Sequence, residues 1–295
     1  MEYATFLQLL LSGLTTGCVY AMVALGFVLC MHVSGVINMA QGEYAMAGGV
    51  SAAVLVSAEI PLPAAIAAGM VIGAVLGALQ ERLTLVPVRN RTIFIKVTIT
   101  LGFAGVVRAL ALAAGGKDPL ALPGLSGDTA FEFLGVVLPT QTLWIWGATV
   151  AMLAAVFWFL LSTAAGRAVR ACAENPVAAR LMGINVQRLS LLVFAAGGAL
   201  GALVGAVTAP ITGAYWLSGL DASLKGFVGA IIADLRSPTL AVAGGLGIGV
   251  VESLAAGYIS SAYKDVIAYG VLLAYLMIRG GVFASARSLA VGEAR

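Results

Sequence analysis

Charge is what this 295-residue chain has least of. Only 10% of its residues are Asp, Glu, Lys or Arg, against roughly 25% in a soluble domain. With 61% hydrophobic residues and a mean hydropathy of +1.04, the composition excludes a soluble globular domain. It points instead to a polytopic membrane protein whose water-facing parts are loops. The net charge of +3 is no sign of nucleic-acid binding, because the placement of the charges matters more than their sum. Histidine is nearly absent, with His32 alone and better read as interfacial than as a ligand, and no Ser/His/Asp set accompanies it. That argues against hydrolase chemistry and leaves no catalytic residue to name. No Gly-x-x-x-x-Gly-Lys-Ser/Thr phosphate loop occurs, since Gly115-Gly116-Lys117 is followed by Asp118 and lacks the spacing. Any ATP used is therefore expected on another chain, and no cofactor is expected on this one. The three cysteines, Cys18, Cys30 and Cys172, have no paired spacing, so neither a disulfide nor a metal site is expected. Basic residues are missing from the first few positions, and the apolar run that follows continues to about Met31. That run is too long, and wrongly flanked, for a cleaved signal peptide.

Long apolar stretches dominate what remains. Nine can be read, at roughly 6–31, 36–57, 63–81, 92–114, 142–162, 189–209, 222–235, 239–259 and 265–279. A helix needs about 20 residues to cross the hydrocarbon core, and two of the nine are compromised. The second is interrupted by Asn38, Gln41 and Glu43; the seventh is short and contains Lys225 and Asp234. The expected fold is an all-α integral membrane bundle of about eight to nine segments, forming a single transmembrane domain over 1–295. With segment five as a connector, segments one to four and six to nine run in opposite senses, and the two irregular segments fall at corresponding places. Inverted repeats with broken helices are a recurring transporter plan. Glycines four apart (Gly69, Gly73 and Gly77; Gly197, Gly201 and Gly205; Gly245 and Gly249) are read as close-packing stripes.

The arginines set the orientation. Those following segments three, five, seven and nine all fall on one side if the N-terminus is outside, whereas the other side has only Lys117 and Lys264. The positive-inside rule then places the C-terminus, with a short tail at 280–295, in the cytoplasm, and the loop at 115–141 outside. Within that outer loop, Phe131 to Leu138 reads as an amphipathic or extended piece lying on the bundle.

The longest basic island, residues 162–190, becomes a cytoplasmic loop. It carries Arg167, Arg170, Arg180 and Arg188 against the single acid Glu174. Asn175 can cap a helix whose first residue is Pro176, and Gly183 can end it. A short helix of about two turns is expected there, with a helical approach over 167–173. Its reading lies between a plain inside loop and a docking element for another protein.

Polar residues in the apolar segments are the other candidates. An ionised residue at mid-membrane costs about 2.5–3.5 kcal/mol on insertion scales. Glu43 must therefore face a cavity, lie near an interface, or pair with a cation such as Arg108 or Lys96. Asn38, Gln41, Gly42 and Glu43 are candidate substrate-path residues, and Glu252 in segment eight raises the same question. Lys225 and Asp234 are expected near segment ends, where a long side chain snorkels to water.

Several stretches together resemble the H-type permease subunit of branched-chain amino acid ABC importers. They are Gly13 to Ala21 with Ala24-Leu25-Gly26, and Gly35-Val36-Ile37-Asn38-Met39-Ala40-Gln41-Gly42-Glu43, similar to an Ile-Asn-Phe-Ala-His-Gly-Glu signature. They also include Gly166-Arg167 through Arg170-Ala171, Glu174-Asn175-Pro176, Ala178, Gly183-Ile184-Asn185, and Gly249 to Glu252 with Ser260 to Asp265. Met39 and Gln41 replace the signature's Phe and His; Ile231 to Pro238 replaces a glycine-rich run; and Arg279-Gly280-Gly281-Val282-Phe283 departs from the usual ending. The resemblance implies a multi-pass subunit of the bacterial inner membrane that imports branched-chain or related amino acids. It implies a second, related permease, two cytoplasmic ATPases contacting the coupling loop, and an extracytoplasmic solute-binding protein as partners. ATP is then used by the partner subunits. Within that family the cargo can also be urea, an amide or another small polar solute. A stand-alone ion-coupled secondary transporter, with Glu43 or Glu252 as its coupling acid, is the alternative of another class.

Overall fold

The fold is described from a computed structural model. It covers residues 2–127, 129–133 and 135–292, with backbone alone for residue 2 and for 279–292. The side chains of Arg279, Arg287 and Arg295, and residues 293–295 altogether, lie outside the described residues.

Each of the nine apolar stretches forms a helix. α1 (Glu2–Ser34), α2 (Gln41–Ser57), α3 (Leu62–Leu79) and α4 (Ile93–Gly115) make the first group. α5 (Gln141–Ser162) connects it to α8 (Val186–Thr212), α9 (Ser218–Ile232), α10 (Pro238–Tyr258) and α11 (Lys264–Gly292), with the short α6 (Ala164–Glu174) and α7 (Pro176–Leu181) between. Seven of these helices are long and apolar enough to cross a membrane. α2 and α9, at 17 and 15 residues, fall short, and these are the two segments that the polar interruptions mark in the sequence. Pro61, Pro176 and Ser237 stand at helix starts, where a missing N–H or a side-chain acceptor fits the free first turn. α3 runs into a π-helical turn at Gln80–Leu85 before the chain leaves for α4. The expected short C-terminal tail is instead a continuation of α11, whose backbone stays helical to Gly292.

The helix contacts fall into two sets that exchange under one pairing of elements: α1 with α8, α2 with α9, α3 with α10, and α4 with α11. α10 lies along α1 as α3 lies along α8; α9 packs on α1 as α2 packs on α8; α9 meets α10 as α2 meets α3. α1 and α8 touch each other at the centre, and so do α2 and α9. This is the arrangement expected of paired repeats, with α5 as the linker. It makes α1 and α8 the interior helices, with 72% and 56% of their apolar windows buried against 22% for α3 and α4.

Small residues permit these crossings. A Cβ on Gly249 would strike the backbone of Gly17, and one on Gly77 the carbonyl of Phe194. Gly17 itself lies against the backbone of Leu246, and Gly73 against that of Gly198. The backbones touch without side chains between them, as in membrane helix pairs built on small-residue stripes.

The loop between α4 and α5 carries a hairpin of β1 (Ala130–Phe133) and β2 (Val136–Pro139), with Ala130 opposite Pro139. Val136 and Leu138 of β2 bury against Leu11 of α1. The piece expected on the bundle, Phe131 to Leu138, thus takes in both arms of this hairpin, and β2 is the arm that lies against α1. Leu120 and Ala214 exchange two backbone hydrogen bonds (2.9 and 3.1 Å). Gln141 accepts from Leu125 N and donates to Val207 O. Both ties fix the loop over the junction of α8 and α9.

Candidate functional site

Three polar groupings interrupt the apolar bundle. The first lies at the start of α2. The chain leaves α1 at Gly35, whose φ of +65° suits glycine, and reaches α2 through a non-helical stretch. Asn38 is fully buried. Its amide nitrogen donates to Gln41 Oε1 and Tyr44 Oη, each at 3.3 Å. Its oxygen accepts from Ala40 N (3.1 Å) and from Gln80 Nε2 (2.6 Å), which comes from the π-helical turn. Tyr44 donates in turn to Gln80 Oε1. Asn38 and Gln41 are therefore engaged in a closed network that ties α2 to α1 and α3. In a medium without water such a network holds only if its members satisfy each other. Gly42 N donates to Ser223 Oγ of α9 (2.8 Å), where the two short helices cross. Glu43, in the first turn of α2 and fully buried, pairs with Arg108 of α4. Of the two cations weighed for Glu43, the structure brings Arg108.

The second grouping contains Glu252. Lys225 Nζ lies 2.7 Å from Glu252 Oε1 and 2.8 Å from Asp265 Oδ1. Tyr20 donates its hydroxyl hydrogen to Glu252 Oε2 at 2.9 Å, and the Lys225 ammonium lies 5.6 Å from the centre of the Tyr20 ring. One lysine thus joins α9 to α10 and α11, with α1 closing the cluster. Lys225 is 3% exposed, so it does not snorkel from a segment end as expected. α9 begins at Ser218, four residues ahead of the apolar stretch, which carries Lys225 into the helix interior. Asp234 is at a segment end, just beyond α9, with φ +58°.

This cluster forms part of the wall of a cavity of about 370 Å³ between α1, α2, α8, α9 and α10. Apolar Ala45, Met46 and Ala209 line one part of it; Thr208, Tyr215 and Asp221 line another. Desolvation pushes the Tyr215 phenol up, with Asp221 adding to the effect. Of the five candidate path residues, Glu252 lines the cavity, while Asn38, Gln41, Gly42 and Glu43 do not. Sequence reasoning did not single out Tyr20, Asp221 or Asp265. A signal was available in Asp221 and Lys225, an acid and a base one helical turn apart in an apolar segment.

The third grouping is the pair α6 and α7. Thr163 accepts from Gly166 N at the start of α6. Asn175 accepts from Val177 N and Ala178 N, both at 3.0 Å, and so caps α7. Gly183, at φ +86°, turns the chain away, and Asn185 caps α8 through Arg188 N. Val169 and Cys172 bury one face of α6 in the bundle core, while Ala179 anchors α7. Burial pushes the Cys172 thiol up. On the outer side Val177, Leu181 and Met182 are 63%, 84% and 84% exposed. Gly166, Arg167, Arg170, Ala171, Glu174, Asn175, Pro176, Ala178, Gly183, Ile184 and Asn185 thus fall on one compact helix–turn–helix unit. Within it Gly166 is buried against α5, Ile184 packs on the core, and most of the others are exposed.

A model of the family described as branched-chain amino acid transport system / permease component matches residues 9–276. The chain belongs to this family. The permease LivH of the high-affinity branched-chain amino acid transport system of Salmonella typhimurium is 30% identical, with 94% of each chain covered. The corresponding BraD of Pseudomonas aeruginosa is also 30% identical, over 94% of this chain and 95% of its own. Among solved structures, PsaBC from Streptococcus pneumoniae in complex with Fab is similar with a TM-score of 0.54 at 16% identity, covering 92% of this permease and 91% of that chain. That likeness concerns the fold alone. The permease is therefore an all-α, multi-pass membrane protein of an importer family, as the composition and the sequence resemblance imply.

Proposed function

We propose that this permease is the membrane subunit of an ATP-driven importer for branched-chain or related amino acids. The observation that carries the reading is the end-to-end similarity to the branched-chain amino acid permeases of two bacteria. The α6–α7 unit supports it: a capped short helix, held to the bundle by buried Val169, Cys172 and Ala179, with large apolar side chains left uncovered on its far side. Exposed apolar groups on a polar loop are what a partner protein would cover. In this reading a pair of cytoplasmic ATPases grips α7 and its approach from Gly166 to Glu174. Their ATP-driven closure moves the helix pair, and a second, related permease and an extracytoplasmic binding protein complete the transporter. This chain carries no ATPase site of its own. The arginine-rich loops lie in the cytoplasm of a bacterial inner-membrane protein whose N-terminus is outside.

Two measurements test the proposal. Calorimetry of the cognate binding protein with leucine, isoleucine and valine should give tight binding, and a protein that binds only urea or an amide would redirect the substrate. Leu181→Asp should abolish co-purification of the ATPases while the permease still inserts. Undiminished co-purification would remove α7 from the coupling role.

A further inference from the structure

We propose that the cavity between α1, α2, α8, α9 and α10 receives the zwitterionic head of an amino acid. Asp221 would pair its ammonium and Lys264 its carboxylate. The proposal rests on the amino-acid reading above and adds to it a place within this chain.

Lys225 and Glu252 of the cavity wall already have partners: Lys225 is held by Glu252 and by the half-exposed Asp265, and Glu252 also accepts from Tyr20. Two further charged residues line the same cavity without such partners. Among the described residues no cation lies within 4.0 Å of the Asp221 carboxylate, and no carboxylate within 4.0 Å of the Lys264 ammonium. Both are exposed, one in the first turn of α9 and the other at the start of α11. Asp221 and Lys264 line one cavity with opposite charges, so a single ligand that carries both an ammonium and a carboxylate can meet both. An α-amino acid carries that pattern on adjacent atoms. Its aliphatic side chain would lie against Ala45, Met46 and Ala209, which form the apolar part of the wall. Thr208 on α8 supplies a hydroxyl at the cavity wall. A plain amine would satisfy Asp221 alone, and a plain carboxylate Lys264 alone.

The test uses the assembled transporter in lipid nanodiscs, carrying Thr212→Cys at the cavity wall. Cys18, Cys30 and Cys172 are buried, so the new thiol dominates modification by methyl methanethiosulfonate, which forms a mixed methyl disulfide and releases methanesulfinate. Leucine at about ten times its dissociation constant should slow that modification about tenfold. Isoamylamine, which keeps the ammonium and the branched chain, should also slow it, and Asp221→Asn should abolish both effects. Lys264→Gln should weaken protection by leucine and spare that by isoamylamine. Absence of concentration-dependent protection by either compound, or equal protection in Asp221→Asn, overturns the site. Uptake by the wild-type transporter is measured alongside. A transporter that imports leucine without cavity protection overturns the site alone. One that shows protection by isoamylamine yet imports no branched-chain amino acid overturns the substrate reading instead.

Discussion

A lysine ammonium inside a membrane bundle is costly unless carboxylates answer it. Lys225 is answered twice, at 2.7 and 2.8 Å, and removing it would leave the buried Glu252 with the Tyr20 hydroxyl but no counter-charge, while the half-exposed Asp265 would keep water. Lys225→Met should therefore lower stability by about 3–5 kcal/mol, the usual cost of breaking a buried pair from one side. A fluorescence melting curve in detergent would show it. The double variant Lys225→Met with Glu252→Gln should recover part of the loss, and no recovery would mean that the pair is not coupled. Single residues were partly legible in the sequence. Glu43 needed a cavity, an interface or a cation, and Arg108 was one of the two cations weighed; the structure supplies it. Lys225 was misplaced because hydropathy marks where apolar residues begin, at 222. The helix itself begins at Ser218 on polar and glycine residues that the apolar count leaves out. The inward turn of Asn38 and Gln41 was also hidden. Their partner Gln80 is distant in sequence and belongs to a π-helical turn that no local pattern announces.

Among the elements, the glycine stripes decide where backbones meet. A Cβ at Gly249 would collide with the backbone of Gly17 and has no flexible side chain to push aside. Gly247, two residues earlier on the same helix, faces open space. Gly249→Val should thus destabilise the α1–α10 pair, by at least the roughly 1–3 kcal/mol typical of overpacking. Gly247→Ala should stay near wild type. Equal melting temperatures for the two variants would show that the contact is looser than described. The stripes were legible as a period of four, but a period names no partner. That Gly245 and Gly249 face α1, and Gly73 and Gly77 face α8, follows only from the assembled bundle. The α7 cap was legible in full: Asn175, Pro176 and Gly183 each act as local rules require, because capping is settled within a few residues of chain. The same locality leaves Cys172 visible only as a cysteine in a loop, although it lies against the core. Its thiol is held above the ordinary range by burial, so the protonated form is favoured in the fold. Through this group the fold is favoured below the thiol's unfolded pKa, and that contribution is lost as pH rises through the higher folded value. Maleimide labelling of Cys172 should stay slower than that of an exposed cysteine at Ala178→Cys across the range from neutral to mildly alkaline pH. Equal rates would show that the α6 face is not sealed.

At the scale of the whole molecule, the plan of nine helices with a connector in the middle was readable, because hydropathy and the spacing of arginines are global signals. The two-fold pairing of contacts was readable only as a correspondence between two weak segments, since the halves share architecture without an evident sequence repeat. Sidedness can be measured directly. In intact spheroplasts an impermeant maleimide should label Lys117→Cys, and it should reach Ala178→Cys only after permeabilisation. The opposite pattern would invert the molecule. The pairing also has a consequence for how the two halves share their work. Each half opens its short helix with an acid in the first turn, Glu43 in α2 and Asp221 in α9. In the N-terminal half the acid is closed off by Arg108; in the C-terminal half it is left open at the cavity. Matching acids in the two halves thus divide their labour: one fastens the scaffold and the other stays available for whatever passes through it.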